Sequence, residues 1–433
     1  MFASSSRLDL GVTVGPQKPN LGKTTLSGPL PILVDYTGVH KYRDLTDREL
    51  RNMHTVLGHY RARVREISFE GRSADFNKFF DMTNFPFPVL VCLALDFNLS
   101  PSINPSVKLK LPNTFLRGPK LSDLPHLRLL QFQHALLASV FGFLSSATAL
   151  TDLSLQIDTV IGPSPETSFL VCLQGMPCLR SLNLSVSEPS KPSGSLPPPS
   201  TPQDIVPLLN LTNFGYGGRP EFLSALLVGF SAPSLQDVEF SFPGPIISPI
   251  VNLPRFITEM KEHYRTAQVY VAHNKTLSSV SFSLLTHSES TSVCEPHFKL
   301  HHPGLSPESI VQLSSALSTR LITIEELQVI FEWSAAGASK NVVPWLRVLQ
   351  HFPSVRGLRL KGTGYNYMAR ALYQGHNESN DFVPLPVLEE IQLDENTRFR
   401  YGIQREYQLE AFLPFLSKRL EAGGHPVKVF FGN

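Results

Sequence analysis

The residues best suited to bind a metal ion are Cys294, His297, His301 and His302, which fall within a span of nine residues. Zinc is held by thiolate and imidazole groups, and a structural site needs four of them, ideally as two close pairs separated by a rigid turn. Here all four precede Pro303 in one polar segment, which is more typical of a solvated loop. We therefore predict no metal site and no cofactor.

Other patterns with chemical potential are incomplete. Gly22-Lys23-Thr24 matches the end of a phosphate-binding loop, but that loop needs a glycine where Gln17 stands. Residues 229–233 lack the second glycine of a GxSxG nucleophile elbow. The acidic pairs Glu325–Glu326 and Glu389–Glu390 fit a solvated surface better than paired carboxylates for acid–base catalysis. The sequence predicts a protein that is not an enzyme, and an unrecognisable active site is the least favoured alternative.

Composition limits the class of partner. The chain has 433 residues, 42% hydrophobic residues and a net charge of only +2, so bulk electrostatics give no reason to expect nucleic acid or an anionic membrane. No run approaches the roughly 20 apolar residues of a membrane span. Residues 1–14 are Ser-rich and lack the apolar core of a secretory signal. We predict an intracellular protein, cytoplasmic or nuclear, with a disordered tail over residues 1–29.

The strongest signal is a recurring phrase, an apolar residue followed by apolar residues three and five positions later. Leu150, Leu153 and Leu155 form one copy. A strand that is entered through a turn and alternates its inward side chains produces this spacing. Eleven copies occur, and in six of them a proline stands two residues earlier, where it fixes the turn. The copies begin at Val64, Leu90, Leu127, Leu150, Leu179, Leu211, Leu235, Leu277, Ile324, Val355 and Leu388.

Helical segments separate the copies. Apolar residues at helical spacing occur over residues 136–148, 166–174, 220–230, 254–264, 307–318, 343–351, 365–375 and 406–421. Strand–helix alternation predicts parallel strands on one face and helices on the other. Copies are separated by 23 to 47 residues, and many of these intervals exceed the 20–29 of regular leucine-rich repeats. We predict an α/β fold, an irregular leucine-rich-repeat-like solenoid with concave strands and convex helices.

That solenoid is predicted as a single domain over residues 30–433. Two Pro-rich stretches, residues 188–202 and 242–254, are interpreted as surface loops because the repeat resumes after each of them.

Several short sequence segments are distinctive. They include PILVDY at 31–36, FPFPVL at 85–90, SSATALTDLSLQID at 145–158, GPSPET at 162–167, LQGMPCLRSL at 173–182, APSLQDV at 232–238, FPSV at 352–355 and GHPVKVFF at 424–431. Over residues 30–433 the chain resembles a group of basidiomycete fungal F-box proteins with leucine-rich-repeat-like arrays. The resemblance implies the substrate-recognition part of an SCF-type ubiquitin ligase, in which an F-box docks on Skp1 and the array holds the target.

The F-box itself is not visible. It would open with a Leu-Pro-x-Glu-like phrase before an apolar helix, and residues 1–30 contain none. Either the gene model is truncated or this copy has lost the box, so Skp1 is expected as a partner only if an F-box precedes the chain. The alternative is a leucine-rich-repeat scaffold that binds a protein partner outside ubiquitination.

Binding residues are expected in the outward positions of the phrase, because a solenoid presents them on an extended sheet. In the later repeats they form an acidic–basic–acidic series, typical of protein recognition, although a solvated surface explains each residue singly. The repeat that begins at Val355 is the best single candidate. The predicted partner-binding residues are Asp152, Gln156, Arg180, Asn183, Asp237, Glu239, Glu325, Glu326, Arg356, Arg359, Lys361, Glu389, Glu390 and Asp394.

Overall fold

The structure is a computed structural model. It describes residues 31–36, 46–71, 87–97, 126–136, 144, 148–159, 165–186, 205–242, 250, 252–260, 264–273, 278–285, 296–303, 307–333, 345–362, 364–378, 383–394 and 405–432. The predicted tail over 1–29 and the predicted loop over 188–202 lie outside these residues, as does most of the loop over 242–254. The chain divides into two compact units, Met1–Leu211 and Thr212–Asn433.

Unit 1 carries a parallel sheet whose strands follow the order of the chain. The strands of this sheet are β1 (Ile32–Tyr36), β2 (Val64–Gly71), β3 (Cys92–Phe97), β4 (Leu129–Leu136), β5 (Asp152–Thr159) and β6 (Ser181–Val186), and the short β7 (Val206–Pro207) is not part of it. Each of β1 to β5 pairs in parallel with the next strand in the chain, up to β6. The described helices of this unit are α1 (Asp47–Tyr60) and α2 (Pro165–Gln174).

The phrase places its apolar residues in the core of unit 1. In β5, Leu153 and Leu155 are each 1% exposed, and their register partners in β6, Leu182 and Leu184, are equally buried. The first residue of the copies at Leu150 and Leu179 precedes the strand and is buried as well. One copy therefore contributes a turn anchor and an inward row, which confirms the interpretation of the spacing.

Unit 2 alternates strands and helices. Its strands are β8 (Asn213–Gly217), β9 (Phe230–Ser231), β10 (Asp237–Ser241), β11 (Thr266–His273), β12 (Ser278–Leu285), β13 (Pro296–Pro303), β14 (Glu326–Trp333), β15 (Gly357–Gly362), β16 (Glu390–Asp394) and β17 (Lys428–Gly432). Its helices are α3 (Pro220–Gly229), α4 (Leu253–Glu259), α5 (Pro307–Ala316), α6 (Ser318–Leu321), α7 (Trp345–Leu349), α8 (Tyr365–Glu378) and α9 (Arg405–Glu421).

The sheet of unit 2 departs from the prediction of uniformly parallel strands. Its order is β8-β10-β13-β12-β11-β14-β15-β16-β17, and β12 runs antiparallel to both β11 and β13. Only four residues, 274–277, separate β11 from β12, a length typical of a β-hairpin. The other adjacent strands pair in parallel. The predicted parallel order is therefore wrong at this hairpin, where direct antiparallel pairing replaces a helical crossover.

Aromatic side chains join the sheet of unit 2 to its helices. Phe214 of β8 lies 5.8 Å from Phe256 of α4, and Phe331 of β14 lies 5.7 Å from Trp345 of α7, measured between ring centroids. Both contacts are edge-to-face, the arrangement that ring quadrupoles favour. The helices thus cover the apolar face of this sheet, and the opposite face carries the polar side chains.

Three arginines, of which Arg419 is buried, hold turns and helix ends of unit 2. Arg255 of α4, Arg320 of α6 and Arg419 of α9 each donate to backbone carbonyls of an earlier turn or helix end, and Arg419 also donates to a carbonyl that follows it. A guanidinium suits this role because it presents five donors in a rigid plane. The acceptors are Leu227 and Phe230 for Arg255, Ile257, Thr258 and Met260 for Arg320, and Leu385, Pro386, Leu388 and His425 for Arg419.

The chain is thus a mixed α/β protein with a large, mainly parallel sheet. In the part of the chain that the structure describes, no helix combines the length and apolar character needed to cross a membrane.

Candidate functional site

Unit 1 places four predicted binding residues on or beside neighbouring strands. Asp152 and Gln156 lie in β5, and Asn183 lies in β6, where it is the register partner of Ser154. Asn183 and Arg180 are exposed, whereas Asp152 is half-buried and accepts a hydrogen bond from Thr151 Oγ1 at 2.7 Å. This group is polar and carries few charges.

Unit 2 brings eight predicted residues together on three adjacent strands. We call this group the charged patch, and all of its members except one are exposed. The patch consists of Glu325 and Glu326 at β14, Arg356, Arg359 and Lys361 at β15, and Glu389, Glu390 and Asp394 at β16. The predicted acidic–basic–acidic series therefore exists in space across β14, β15 and β16.

Asp237 and Glu239 lie apart from the charged patch. Both are in β10, and strands β13, β12 and β11 separate β10 from β14. With neighbouring strands roughly 4.8 Å apart, four steps place β10 about 19 Å from β14. Asp237 instead accepts a hydrogen bond from Asn213 Nδ2 at 2.8 Å. The repeat phrase predicts only the strand that begins at Leu277 between these two residues and Glu325, so the separation by three strands was not expected.

Two ion pairs organise the charged patch. Arg359 Nε donates to Asp394 Oδ2 at 2.6 Å, and Gln392 Nε2 donates to the other oxygen of Asp394 at 2.8 Å. Asp394 is only 8% exposed, so it departs from the fully outward position expected of it. Arg356 pairs with Glu389 at 3.3 Å, and both side chains are more than 60% exposed, where such a pair contributes little.

Strand β11 adds side chains that sequence reasoning missed. Gln268 Nε2 donates to Gln328 Oε1 of β14 at 2.9 Å, and the Tyr270 hydroxyl donates to a carboxylate oxygen of Glu332. These residues extend the polar surface beside the charged patch. Alternation of buried Ala267, Val269 and Val271 with polar neighbours was the available signal, but the segment lacks the repeat phrase.

The residues considered for metal binding differ from the prediction in secondary structure. His297, His301 and His302 belong to strand β13, so the expected loop is wrong there, because pairing with β10 and β12 orders the segment. Cys294 lies outside the described residues, and so do the side chains of the three histidines. Across the side chains that the structure does describe, no three possible metal ligands come together.

Cys92 of β3 and Cys172 of α2 are poorly suited to nucleophilic chemistry. Burial, with a smaller effect of the nearby Glu66 carboxylate, raises the pKa of the Cys92 thiol to about 11. Burial alone raises the pKa of the Cys172 thiol to about 11. Because the thiolate is the reactive form, both groups are almost entirely unreactive thiols at neutral pH.

The charged patch is the arrangement best suited to recognition. It offers exposed charges of both signs on a sheet where the buried Asp394 carboxylate holds Arg359 in place, a combination that can select a complementary surface. No family model matches the chain, and neither does any curated protein.

Proposed function

We propose that this protein is a protein-binding array that uses the charged patch and its polar surroundings to hold a partner. The observation that carries the proposal is the assembly of Glu326, Arg359, Lys361 and Glu390 on three adjacent strands, although they lie far apart in the chain. A rigid sheet keeps such charges in fixed positions. Binding to a complementary surface then requires little ordering of the binding residues.

The finer architecture belongs to the same proposal. A leucine-rich-repeat-like solenoid would explain the recurring strand–helix unit, the buried turn anchors and the shared polar surface. The antiparallel hairpin of β11 and β12 would then be an insertion into an otherwise regular series. We propose an intracellular role, cytoplasmic or nuclear.

The resemblance noted above favours the substrate-recognition part of an F-box-type receptor that lacks or has lost its F-box. The alternative is a scaffold unrelated to ubiquitination. Co-purification with the endogenous gene tagged at its 3′ end separates the two: stable association of Skp1 with the gene product supports the receptor, and its absence under conditions that retain a target supports the scaffold. No catalytic step is assigned in either case.

Affinity capture with matched variants tests the binding surface. Lys361→Trp places a bulky side chain on the charged patch, and Leu413→Trp places the same bulk on the exposed side of α9, where Leu413 is 48% exposed. We expect the first variant to lose specific proteins captured from a lysate of the source organism and the second to retain them. Equal capture by both variants would contradict the proposal.

A further inference from the structure

Strand β17 is the last strand in the order of its sheet. It pairs in parallel with β16 on one side, and no described strand lies on its other side. Proteins commonly protect such an edge with charges, prolines or a bulge. Strand β17 has one charged residue, Lys428, no proline and no irregularity in its register with β16. Its outer edge is therefore open to a further strand.

The backbone of β17 can form hydrogen bonds at this outer edge. The Lys428 N–H donates to the Glu389 carbonyl at 2.9 Å, so it points toward β16. Because successive residues of a strand direct their backbone groups to opposite sides, the N–H and C=O of Val429 point to the outer edge. The neighbouring Phe430 is 39% exposed. The edge thus combines a backbone donor and acceptor with an exposed aromatic ring.

Helix α9, which precedes β17 in the chain, has an apolar stripe that is left exposed. Its buried side carries Phe412 and Phe415, whereas Leu413 and Leu420 are 48% and 56% exposed. At about 100° per residue, these leucines lie roughly a quarter of a turn from the buried side. With two half-buried leucines they have the 4-3-4 spacing of a helix–helix contact. This leucine stripe consists of Leu409, Leu413, Leu416 and Leu420.

One two-fold axis presents both features to a second copy of the chain. Helix α9 connects the parallel neighbours β16 and β17, so it lies above these two strands. If β17 pairs with β17 of a second copy, the axis lies about 2.4 Å beyond β17, and α9 lies about 2.4 Å before it, half a strand spacing in each case. The two copies of α9 are then about 10 Å apart. Packed helices are separated by roughly 8–10 Å, so strand pairing and helix packing are compatible.

The exposed apolar area is large enough for a stable contact. With about 200 Å² for a fully exposed leucine or phenylalanine, Leu413, Leu420 and Phe430 expose roughly 300 Å² per copy. Half-buried residues add roughly 40 Å² each, and these are Leu409, Leu416 and Val429. Two copies thus supply roughly 800 Å² of apolar surface. Because about 65% of a homodimer interface is apolar, the whole interface would be about 1,300 Å², within the roughly 1,200–2,000 Å² of specific contacts.

We propose that α9 and β17 form the interface of a two-fold symmetric dimer of this chain. Strand β17 pairs antiparallel with β17 of the second copy, and the leucine stripes of the two α9 helices pack together. A second copy brings an open strand edge and an apolar helix face in the matching arrangement. Two-fold pairing also closes the assembly, whereas pairing of β17 with β1 of another copy would continue into a filament.

The dimer leaves the charged patch accessible, so this inference does not rest on the proposed function. Helix α9 covers the apolar face of the sheet, and Lys361 lies on the polar face. A probe at position 413 therefore meets the second copy, and a probe at position 361 meets the partner.

Sedimentation velocity of the purified full chain tests the dimer, because a second copy is then the only available occupant of the interface. We expect a reversible monomer–dimer equilibrium at micromolar concentrations, without larger species. A chain that remains monomeric at roughly 100 µM would overturn the proposal. Growth into larger polymers would overturn it as well, because a two-fold contact closes.

Two variants address the helix contact and the strand contact separately. Leu413→Glu with Leu420→Glu places four carboxylates in the interface and should raise the dissociation constant roughly 100-fold or more. Val429→Pro removes an N–H from the outer edge, where a strand tolerates proline, and should raise the constant roughly tenfold. Val171→Glu with Ile322→Glu is the matched control, because both side chains are exposed and lie outside α9 and β17.

The control should keep the dissociation constant within about twofold of wild type. Unchanged dimerisation in both interface variants, with melting temperatures equal to that of wild type, would overturn the proposal. Equal loss of dimer in the control would overturn it too. If the double glutamate variant does not fold, Val429→Pro decides the outcome, since its backbone change faces away from β16.

Discussion

Replacing Arg419 tests how much a buried arginine contributes to the stability of unit 2. Arg419 is 3% exposed and donates to the carbonyls of Leu385, Pro386 and Leu388 at 3.0, 2.8 and 3.1 Å. Burial lowers the pKa of the Arg419 guanidinium, so these bonds must offset the loss of its hydration. Arg419→Met keeps the aliphatic stem and removes every donor.

The expected magnitude follows from the acceptors left behind. Each buried carbonyl without a donor costs roughly 1–3 kcal/mol. Because Pro386 is exposed and water can reach its carbonyl, we expect a total loss of about 3–4 kcal/mol in the free energy of unfolding, rather than the full sum. For a unit of this size the melting temperature should fall by roughly 10 °C. Arg419→Lys should be intermediate, because an ammonium cannot reach all three carbonyls.

Tryptophan fluorescence during urea unfolding reports on unit 2, since both tryptophans, Trp333 and Trp345, lie in it. Lys418→Met is the matched control, because Lys418 is the preceding residue of α9 and makes only a 3.9 Å pair with Glu421. This control should change stability by less than about 0.5 kcal/mol. If Arg419→Met were no less stable than Lys418→Met, the role given to the buried guanidinium would be wrong.

Three further predictions address single positions. Gly362 and Gly423 both have positive φ, but a Cβ at Gly362 would lie 1.9 Å from a backbone oxygen of the neighbouring strand, whereas Gly423 has open space. Alanine should therefore cost about 1 kcal/mol at Gly423 and at least 3 kcal/mol at Gly362 in urea unfolding, and equal costs would contradict the stated clash. Alkylation at pH 8, followed by mass spectrometry, compares two cysteines: the exposed Cys178 should react well before the buried Cys172. At a pKa of about 11, only about one Cys172 thiol in a thousand is ionised at this pH. Similar alkylation rates would show that the Cys172 thiol is accessible and ionised. Asp394→Asn should lower the free energy of unfolding by about 1–2 kcal/mol, because it removes the carboxylate of a pair whose acidic side chain is 9% exposed, and a change below 0.5 kcal/mol would show that the pair does not stabilise the patch.

The repeat phrase predicted most of the fold because one local rule is used many times. A turn anchor such as Leu150 and inward residues such as Leu153 and Leu155 are buried by any strand of this type, whichever neighbour it meets. Helix α9 was likewise predictable, since residues 406–421 have helical spacing and the structure has Arg405–Glu421. Local periodicity was therefore sufficient for individual elements.

The hairpin of β11 and β12 was not predictable in the same way. Strand β11 lacks the phrase, and its place in the sheet depends on pairing with β14. The register partners Gln268 and Gln328 are 60 residues apart in the chain. The bond between Arg359 and Asp394 depends on register between two strands as well, across 35 residues. Sequence spacing gives the face on which a side chain lies, but it does not give the partner that tertiary pairing places beside it.

The most direct measurement of the central claim is photo-cross-linking in living cells of the source organism. Benzoylphenylalanine placed at position 361 lies on the charged patch, and the same residue at position 413 lies on the exposed side of α9. We predict a discrete protein adduct from position 361 that is absent from position 413. Adducts of the same proteins at both positions, or adducts only at position 413, would contradict the claim that the charged patch is the binding surface.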